Sequence, residues 1–393
     1  MRSSRRQTAA MHVDRELTLE TLAALVRINS VNPGTEAGGP GEAEVAAYTA
    51  TWLEAHGLEV ERHEPEPGRI SVVGRLRGSG GGRSLMLNAH SDTVGVSGMA
   101  DPFGASVRDG RLYGRGAYDM KGSLAACMTA AAALAAAGRS LRGDVVVAAV
   151  ADEEDASIGT RDIAAKYPVD AAIVTEPTAL DICLAHKGFV WLEVVTRGRA
   201  AHGSRYDLGV DANLRMGRVL HELETHEREL RARPSHSLVG TASLHAALLE
   251  GGSGPSTYAA RCRLQIERRT LPGESQAGVV AEIGSRLERL RERDPTFDVE
   301  LRTLLVREPF EVAPTAEIVR QVAACVRQVT GRAPRFTGEW PWMDSALLAA
   351  AGVECVVLGP AGAGAHSNQE WVDLESVYQL GDVLIEIARR YCA

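Results

Sequence analysis

The chain has 393 residues, 45% of them apolar and 24% charged, a balance that allows a large buried core and excludes a disordered chain. Its 43 Lys and Arg stand against 51 Asp and Glu, a net charge of -8, with no basic block beyond Arg2, Arg5 and Arg6, so nucleic acid is not an expected partner. The length exceeds what one core usually serves, and two domains are expected.

In chain order, the first arginines are followed by Gln7, Thr8, His12 and Asp14 and by no apolar run, so no signal peptide is read; Met11 is an alternative start. Residues 42–56 carry Val45, Tyr48, Trp52 and Leu53 at helical spacing, with Gly57 as a stop. The glycine-rich stretch 78–82 reads as a hairpin turn, and the Ala-rich residues 124–137 as a buried helix too short for the ~20 residues of a membrane span. Buried strands are expected at 84–88, 144–150, 171–175 and 353–358. Between 189 and about 303 the pattern becomes strand, helix, two strands, helix, strand, the ferredoxin-like order, and the alternation of the third strand through Cys262, Leu264 and Ile266, with the two amphipathic helices, offers surfaces that could pair two copies. The expected architecture is therefore a discontinuous α/β domain of 1–188 and 304–393, interrupted by an α+β domain of 189–303. Six scattered cysteines without a paired spacing exclude a disulfide framework and a thiolate zinc site, and point to a reducing, cytoplasmic compartment.

The residues just past each strand carry the chemistry. His90 and Asp92, then Asp152-Glu153-Glu154, then Glu176, then His366 in a glycine-rich loop all come at predicted strand ends, where open α/β sheets bind ligands. With Asp119, these residues offer imidazoles and carboxylates. Five ligands (His90, Asp119, Glu154, Glu176, His366) serve two ions ~3.5 to 4 Å apart if one carboxylate is shared. Asp92, two residues from His90 on the same face, would take the ring N–H of His90. One member of the Glu153-Glu154 pair would face a metal and the other the attacking water, as a general base. Each residue also has a plainer reading: a hydrogen-bonded His-x-Asp, Asp119 as a helix N-cap, a solvated acidic loop, a turn at Glu176-Pro177, a surface histidine at 366.

Five segments resemble the M20 family of metallopeptidases and amidohydrolases, the group of acetylornithine deacetylase, succinyl-diaminopimelate desuccinylase, aminoacylase and glutamate carboxypeptidase. They are Asn88-Ala89-His90-Ser91-Asp92-Thr93-Val94, the stretch from Gly114 to Gly122 with Asp119-Met120-Lys121, Asp152-Glu153-Glu154, Thr175-Glu176-Pro177-Thr178, and His366-Ser367-Asn368-Gln369-Glu370-Trp371-Val372. The resemblance implies a di-zinc exopeptidase-like catalytic domain with an inserted ferredoxin-like lid or dimerisation domain, and two zinc or cobalt ions. Asp119 would bridge the ions, His90 and Glu176 would complete one site, Glu154 and His366 the other, and Glu153 would be the general acid/base. A cis peptide between Asp119 and Met120 is also implied. In the insertion, His202 resembles the histidine that steadies the oxyanion, donated across a homodimer, and Arg269 the arginine that binds a substrate carboxylate. Ser256 and Ala259 stand where many relatives have Asn and Pro, which changes the substrate end of the site. Trp340 and Trp342 would line an acyl or aryl pocket or pack in the core.

The expected activity is metal-dependent hydrolysis of the amide bond of a small N-acyl amino acid or related amide. The alternatives are a di- or tripeptidase or carboxypeptidase on the same site, and an inactive homologue that only binds a small amide or pairs subunits.

Overall fold

The computed structural model describes residues 11–138 and 141–393, so Arg2, Arg5 and Arg6 lie outside the described residues. The chain forms two compact units, one from the described part of Met1–Leu184 with Val312–Thr337 and Met343–Ala393, the other from Ala185–Glu311 with Gly338–Trp342. The sequence boundary at 303/304 falls inside the strand Val299–Arg307, because the alternation of that strand continues past it. The aromatic segment Gly338–Trp342 joins the inserted unit although it lies outside 189–303.

In the first unit, the strands run in the order Glu59–Glu66, Arg69–Leu76, Val145–Val150, Leu85–His90, Ala171–Val174, Glu354–Val357. The last four are mutually parallel, so their carboxyl ends share one edge of the sheet. They are buried on both faces, as their unbroken apolar runs require. The Ala-rich helix Gly122–Ala136 is buried over almost its whole length, its small side chains allowing close packing with the helix Leu374–Tyr391. The expected helix at 42–56 spans Ala43–Ala55, and Gly57 takes the left-handed φ of a C-terminal stop. Among the described residues, no helix is long and apolar enough to cross a membrane.

The glycines at 78–82 do not form a hairpin turn. Arg69–Leu76 pairs with Val145–Val150 instead of the strand after it in the chain, and the glycine loop packs on residues 141–143, Ser79 and Gly80 donating to the carbonyls of Leu141 and Arg142. A Cβ at Gly78 would lie 2.4 Å from the Arg142 carbonyl oxygen, so close approach and not turn geometry demands glycine there.

The inserted unit is an antiparallel sheet in the order Ser243–Gly251, Arg261–Thr270, Gly188–Arg197, Val299–Arg307. Two helices, Ala212–Ala232 capped by Asp211 and Gln276–Arg293 capped by Ser275, complete the ferredoxin-like unit. Met216, Val219, Val279 and Ile283 meet Leu192, Leu264 and Ile266 in its core. Cys262, Leu264 and Ile266 are therefore consumed inside the unit and do not form a surface for pairing two copies, because their face of the strand is the one the helices cover. An Ile283→Ala variant is expected to lose about 2–5 kcal/mol of unfolding free energy, read from urea denaturation.

Candidate metal centre

The site lies on the shared edge of the parallel strands. His90 is the last residue of its strand and is buried. Its Nε2 is 3.1 Å from Asp119 Oδ1 and 3.7 Å from Glu176 Oε1. The Nε2 of His366 is 3.4 Å from Asp119 Oδ2 and 3.0 Å from Glu154 Oε2. Asp119 thus presents one oxygen to each imidazole, and two ligand groups result, His90/Asp119/Glu176 and Asp119/Glu154/His366. The plainer readings of Asp119, Glu154 and Glu176 do not describe the geometry, whereas His366, its side chain 57% exposed, does lie at the surface. Asp119 has φ -118°, ψ 91° and caps nothing, since Lys121 stands at the N-cap of the following helix. The side chains of Glu154 and Glu176 are buried. The peptide between Asp119 and Met120 is cis.

Charge decides what such a group can hold. Burial pushes the Glu176 carboxyl well above the usual carboxylate range, with Asp119 and Glu154 adding to it, and burial followed by Asp119 raises Glu154. Burial opposes ionisation of Asp119 too, but the two imidazoles outweigh it and hold its carboxyl below the ordinary value. Burial lowers the His90 pKa while Asp119, Glu176, Glu153 and Asp92 raise it further, so it ends well above the ordinary imidazole value. These are three carboxylates around two rings, a surplus of negative charge in a low-dielectric place. Glu154 Oε1 is buried without a hydrogen-bond partner. The imidazole and carboxylate donors, the shared Asp119 and this orphaned oxygen fit a pair of divalent cations.

Glu153 is half-buried beside this cluster, and burial, reinforced by Glu176, holds its carboxyl well above the usual range. Asp92 acts differently from the sequence expectation. The backbone carbonyl of Asp92 faces His90 Nδ1 at 2.9 Å, whereas its carboxylate lies 3.6 Å away. The carboxylate is occupied by the turn that carries Glu153 and Glu154, accepting the N–H of Glu153 at 3.1 Å and of Glu154 at 3.2 Å. The reason is geometric: the chain leaves the strand at His90, and a carbonyl two residues on reaches the ring more closely than the longer side chain.

Behind this turn lies a buried polar chain that sequence reasoning missed. Asn32 Nδ2 donates to Asp92 at 2.8 Å and to Asp152 at 3.0 Å, and Arg69 bonds Asp152 and pairs with Glu42. Asp152 has φ 69° and His366 φ 59°, left-handed conformations that cost a residue with a Cβ roughly 1–2 kcal/mol and need such anchors. Asp344 is buried too, accepting from Thr160 at 2.5 Å, and burial pushes its carboxyl up to about 6. The only sequence signal for these groups was polar residues beside apolar runs.

The remaining candidates lie in the inserted unit. His202 is exposed, bonded through Nδ1 to Ser204 at 2.8 Å, and paired in a short bridge with Thr257. Ser256 is exposed on the neighbouring loop, its carbonyl accepting from Gly203, while Ala259 is buried. Arg269 stands near the far end of the strand Arg261–Thr270, paired with Glu267 and 5.0 Å over the ring of Phe189. Trp342 is half-buried, with Nε1 donating to the Glu308 carbonyl at 3.0 Å and its ring under Arg307. Trp340 is 68% exposed, with Lys187 Nζ 5.3 Å from its ring centre.

Comparison with known proteins agrees with this geometry. A model of peptidase family M20/M25/M40 matches residues 86–390. Acetylornithine deacetylase of Myxococcus xanthus is 30% identical over 364 residues, covering 88% of this chain and 91% of that protein. N-formyl-4-amino-5-aminomethyl-2-methylpyrimidine deformylase of Bacillus subtilis (strain 168) is 28% identical over 384 residues, 89% of each chain. The Bacillus subtilis YXEP protein, described as a dinuclear metal binding peptidase from the M20 family, superposes with a TM-score of 0.75 at 14% identity, over 95% of this chain and 97% of that one. The parallel strand ends, the paired ligand groups and this match together show that the chain is a hydrolase belonging to peptidase family M20/M25/M40.

Proposed function

We propose that this hydrolase removes a small acyl group from the nitrogen of an amino acid or similar amine, with Glu153 as general acid/base. The observation that carries the reading is the double ligand group sharing Asp119, with the raised carboxyl of Glu153 beside it. Two relatives named for removing an acetyl and a formyl group support the substrate class. His90, Asp119 and Glu176 would hold one ion and Asp119, Glu154 and His366 the other. Zinc is the metal proposed for both positions, with cobalt as the alternative. When bound, such ions supply Lewis-acid polarisation of the amide carbonyl and acidify water.

The other steps belong to the chain. Glu153 takes the proton of the attacking water and returns it to the leaving nitrogen, so that the C–N bond breaks to an amine and not an amide anion. Asp92 keeps Glu153 in place through both amide N–H groups of the turn. Arg269 would bind a substrate carboxylate and Ser256 would offer it a hydroxyl. Cysteine usage supports a cytoplasmic setting.

A homodimer completes the reading. Arg261 pairs with Arg197 and Arg269 with Phe189, so the eight steps from Arg261 to Arg269 run most of the sheet's length, roughly 26 Å at the usual rise. The His202 and Ser256 loops extend beyond the Arg261 end. One small substrate cannot span both ends, which supports His202 and Arg269 of one chain serving two different sites. The strand Ser243–Gly251 is an edge of the sheet, with Leu248 57% and Leu249 54% exposed, an edge that a second copy would cover.

Metal analysis of the purified protein is expected to give two ions per chain, falling to one in Glu176→Ala or His366→Ala and to none or one in Asp119→Ala. On a panel of N-formyl and N-acetyl amino acids and dipeptides, the N-acyl compounds should be the better substrates, and Glu153→Gln should lower kcat by about 10²- to 10⁴-fold with both metals retained. Preferred turnover of dipeptides would favour a peptidase, and no turnover of any substrate by the two-metal protein would favour a binding-only homologue. Mixing His202→Ala with Glu153→Gln under subunit exchange should restore activity, since one site of the mixed dimer then has both groups; no recovery despite exchange rules out donation in trans.

A further inference from the structure

Glu370 has no part in the chemistry above, yet its surroundings are more exacting than those of any ligand. It comes four residues after His366 and is 1% exposed. Oε1 accepts the backbone N–H of Tyr118 at 2.9 Å and of Asp119 at 3.0 Å. Oε2 accepts Arg115 Nη1 at 2.7 Å and the N–H of Gly116 at 3.1 Å. A carboxylate offers about four lone-pair directions, and here all are used. Arg115, 3% exposed, also donates from Nε to the Gly95 carbonyl and from Nη2 to the Ser367 carbonyl, both at 3.0 Å. One ion pair therefore fastens three loops, two of which carry metal ligands.

Those two ligands have no regular structure to place them. Asp119 comes soon after Gly116 at φ 77° and has non-helical angles itself, and its N–H goes to a side chain from another loop. His366 has left-handed φ in a loop next to Gly364. His90, by contrast, is held by a sheet.

We propose that Glu370 and Arg115 are positioning residues of the metal centre, Glu370 setting the direction of the shared Asp119 and Arg115 the loop of His366. The assignment rests on the two-metal reading above. It predicts an asymmetry: a fault at Glu370 reaches both ions through Asp119, and a fault at Arg115 reaches mainly the ion on the His366 side. Glutamine at 370 keeps the size but must turn an NH₂ group toward one pair of donors, and lysine at 115 keeps the charge but loses the fork that reaches Gly95 and Ser367.

The test strips the full chain of metal and titrates wild type, Glu370→Gln and Arg115→Lys with Co²⁺, reading affinity by calorimetry and ligand geometry by visible absorption, with melting of the metal-free forms alongside. The expected result is a fall in affinity of about 10- to 100-fold for both ions in Glu370→Gln and for one ion in Arg115→Lys, with altered cobalt spectra and metal-free melting close to wild type. Wild-type affinity and spectrum in the folded variants would overturn the proposal, as would a metal-free form destabilised as much as the loaded one, which marks a purely structural pair. Should Glu370→Gln fail to fold, Arg115→Lys decides by the same criteria. A wild-type chain that binds no Co²⁺ would instead overturn the two-metal reading, and this proposal with it.

Discussion

The catalytic unit is arranged around one carboxylate held between two imidazoles. Asp119 gives an oxygen to each ring, and two further buried carboxylates crowd the same space. Like charges so close and so dry repel strongly: Glu154 and Glu176 are pushed toward the protonated form, while the two imidazoles keep Asp119 ionised. A parallel sheet supplies the means of holding them together, because its strands deliver their side chains to one edge from points far apart in the chain. The second layer then removes the remaining freedom: Asp92 holds the Glu153-Glu154 turn and Asn32 and Arg69 hold the groups behind it. The protein part leaves a negative surplus, the balance that a pair of cations would complete.

Some of this was legible in the residues and some was not. The strands could be read because they are buried on both faces and therefore unbroken in hydrophobicity, and His90 could be placed because it ends such a run. Asp119 has no period to reveal it; its backbone belongs to no regular element, and only the resemblance of the segment around it marked it as the bridge. The glycines at 78–82 mislead because composition reports that the chain can bend or approach closely without saying which. Cys262, Leu264 and Ile266 announced an apolar face correctly, but alternation cannot tell a face covered by the unit's own helices from one covered by another copy. For Asp92 the error was finer: carbonyl and carboxylate of the same residue compete for one ring nitrogen, and only geometry chooses. Glu370 stood in plain view inside the segment around His366, but a single glutamate has no pattern.

The inserted unit divides its polarity in an instructive way. One face of its sheet carries the core, while residues of the opposite set include Glu193, set between Arg263 and Arg302, and the pair Arg197–Glu300. The edge strand Ser243–Gly251 exposes Leu248 and Leu249, and there backbone pairing imposes direction and register on whatever covers it.

The insertion also separates His366 in time from the other four candidate ligands. His90, Asp119 and Glu176 all precede it, while His366 comes after it and reaches the sheet through Glu354–Val357 pairing beside Ala171–Val174. At about 5–20 residues per second, a ribosome needs on the order of ten to forty seconds to travel from the last ligand of the first group to the imidazole of the second. A nascent chain thus carries the whole His90, Asp119 and Glu176 group long before the group of Asp119, Glu154 and His366 is complete, and Glu370 arrives later still. The order in which the centre becomes complete during synthesis is fixed by where the insertion interrupts the sheet.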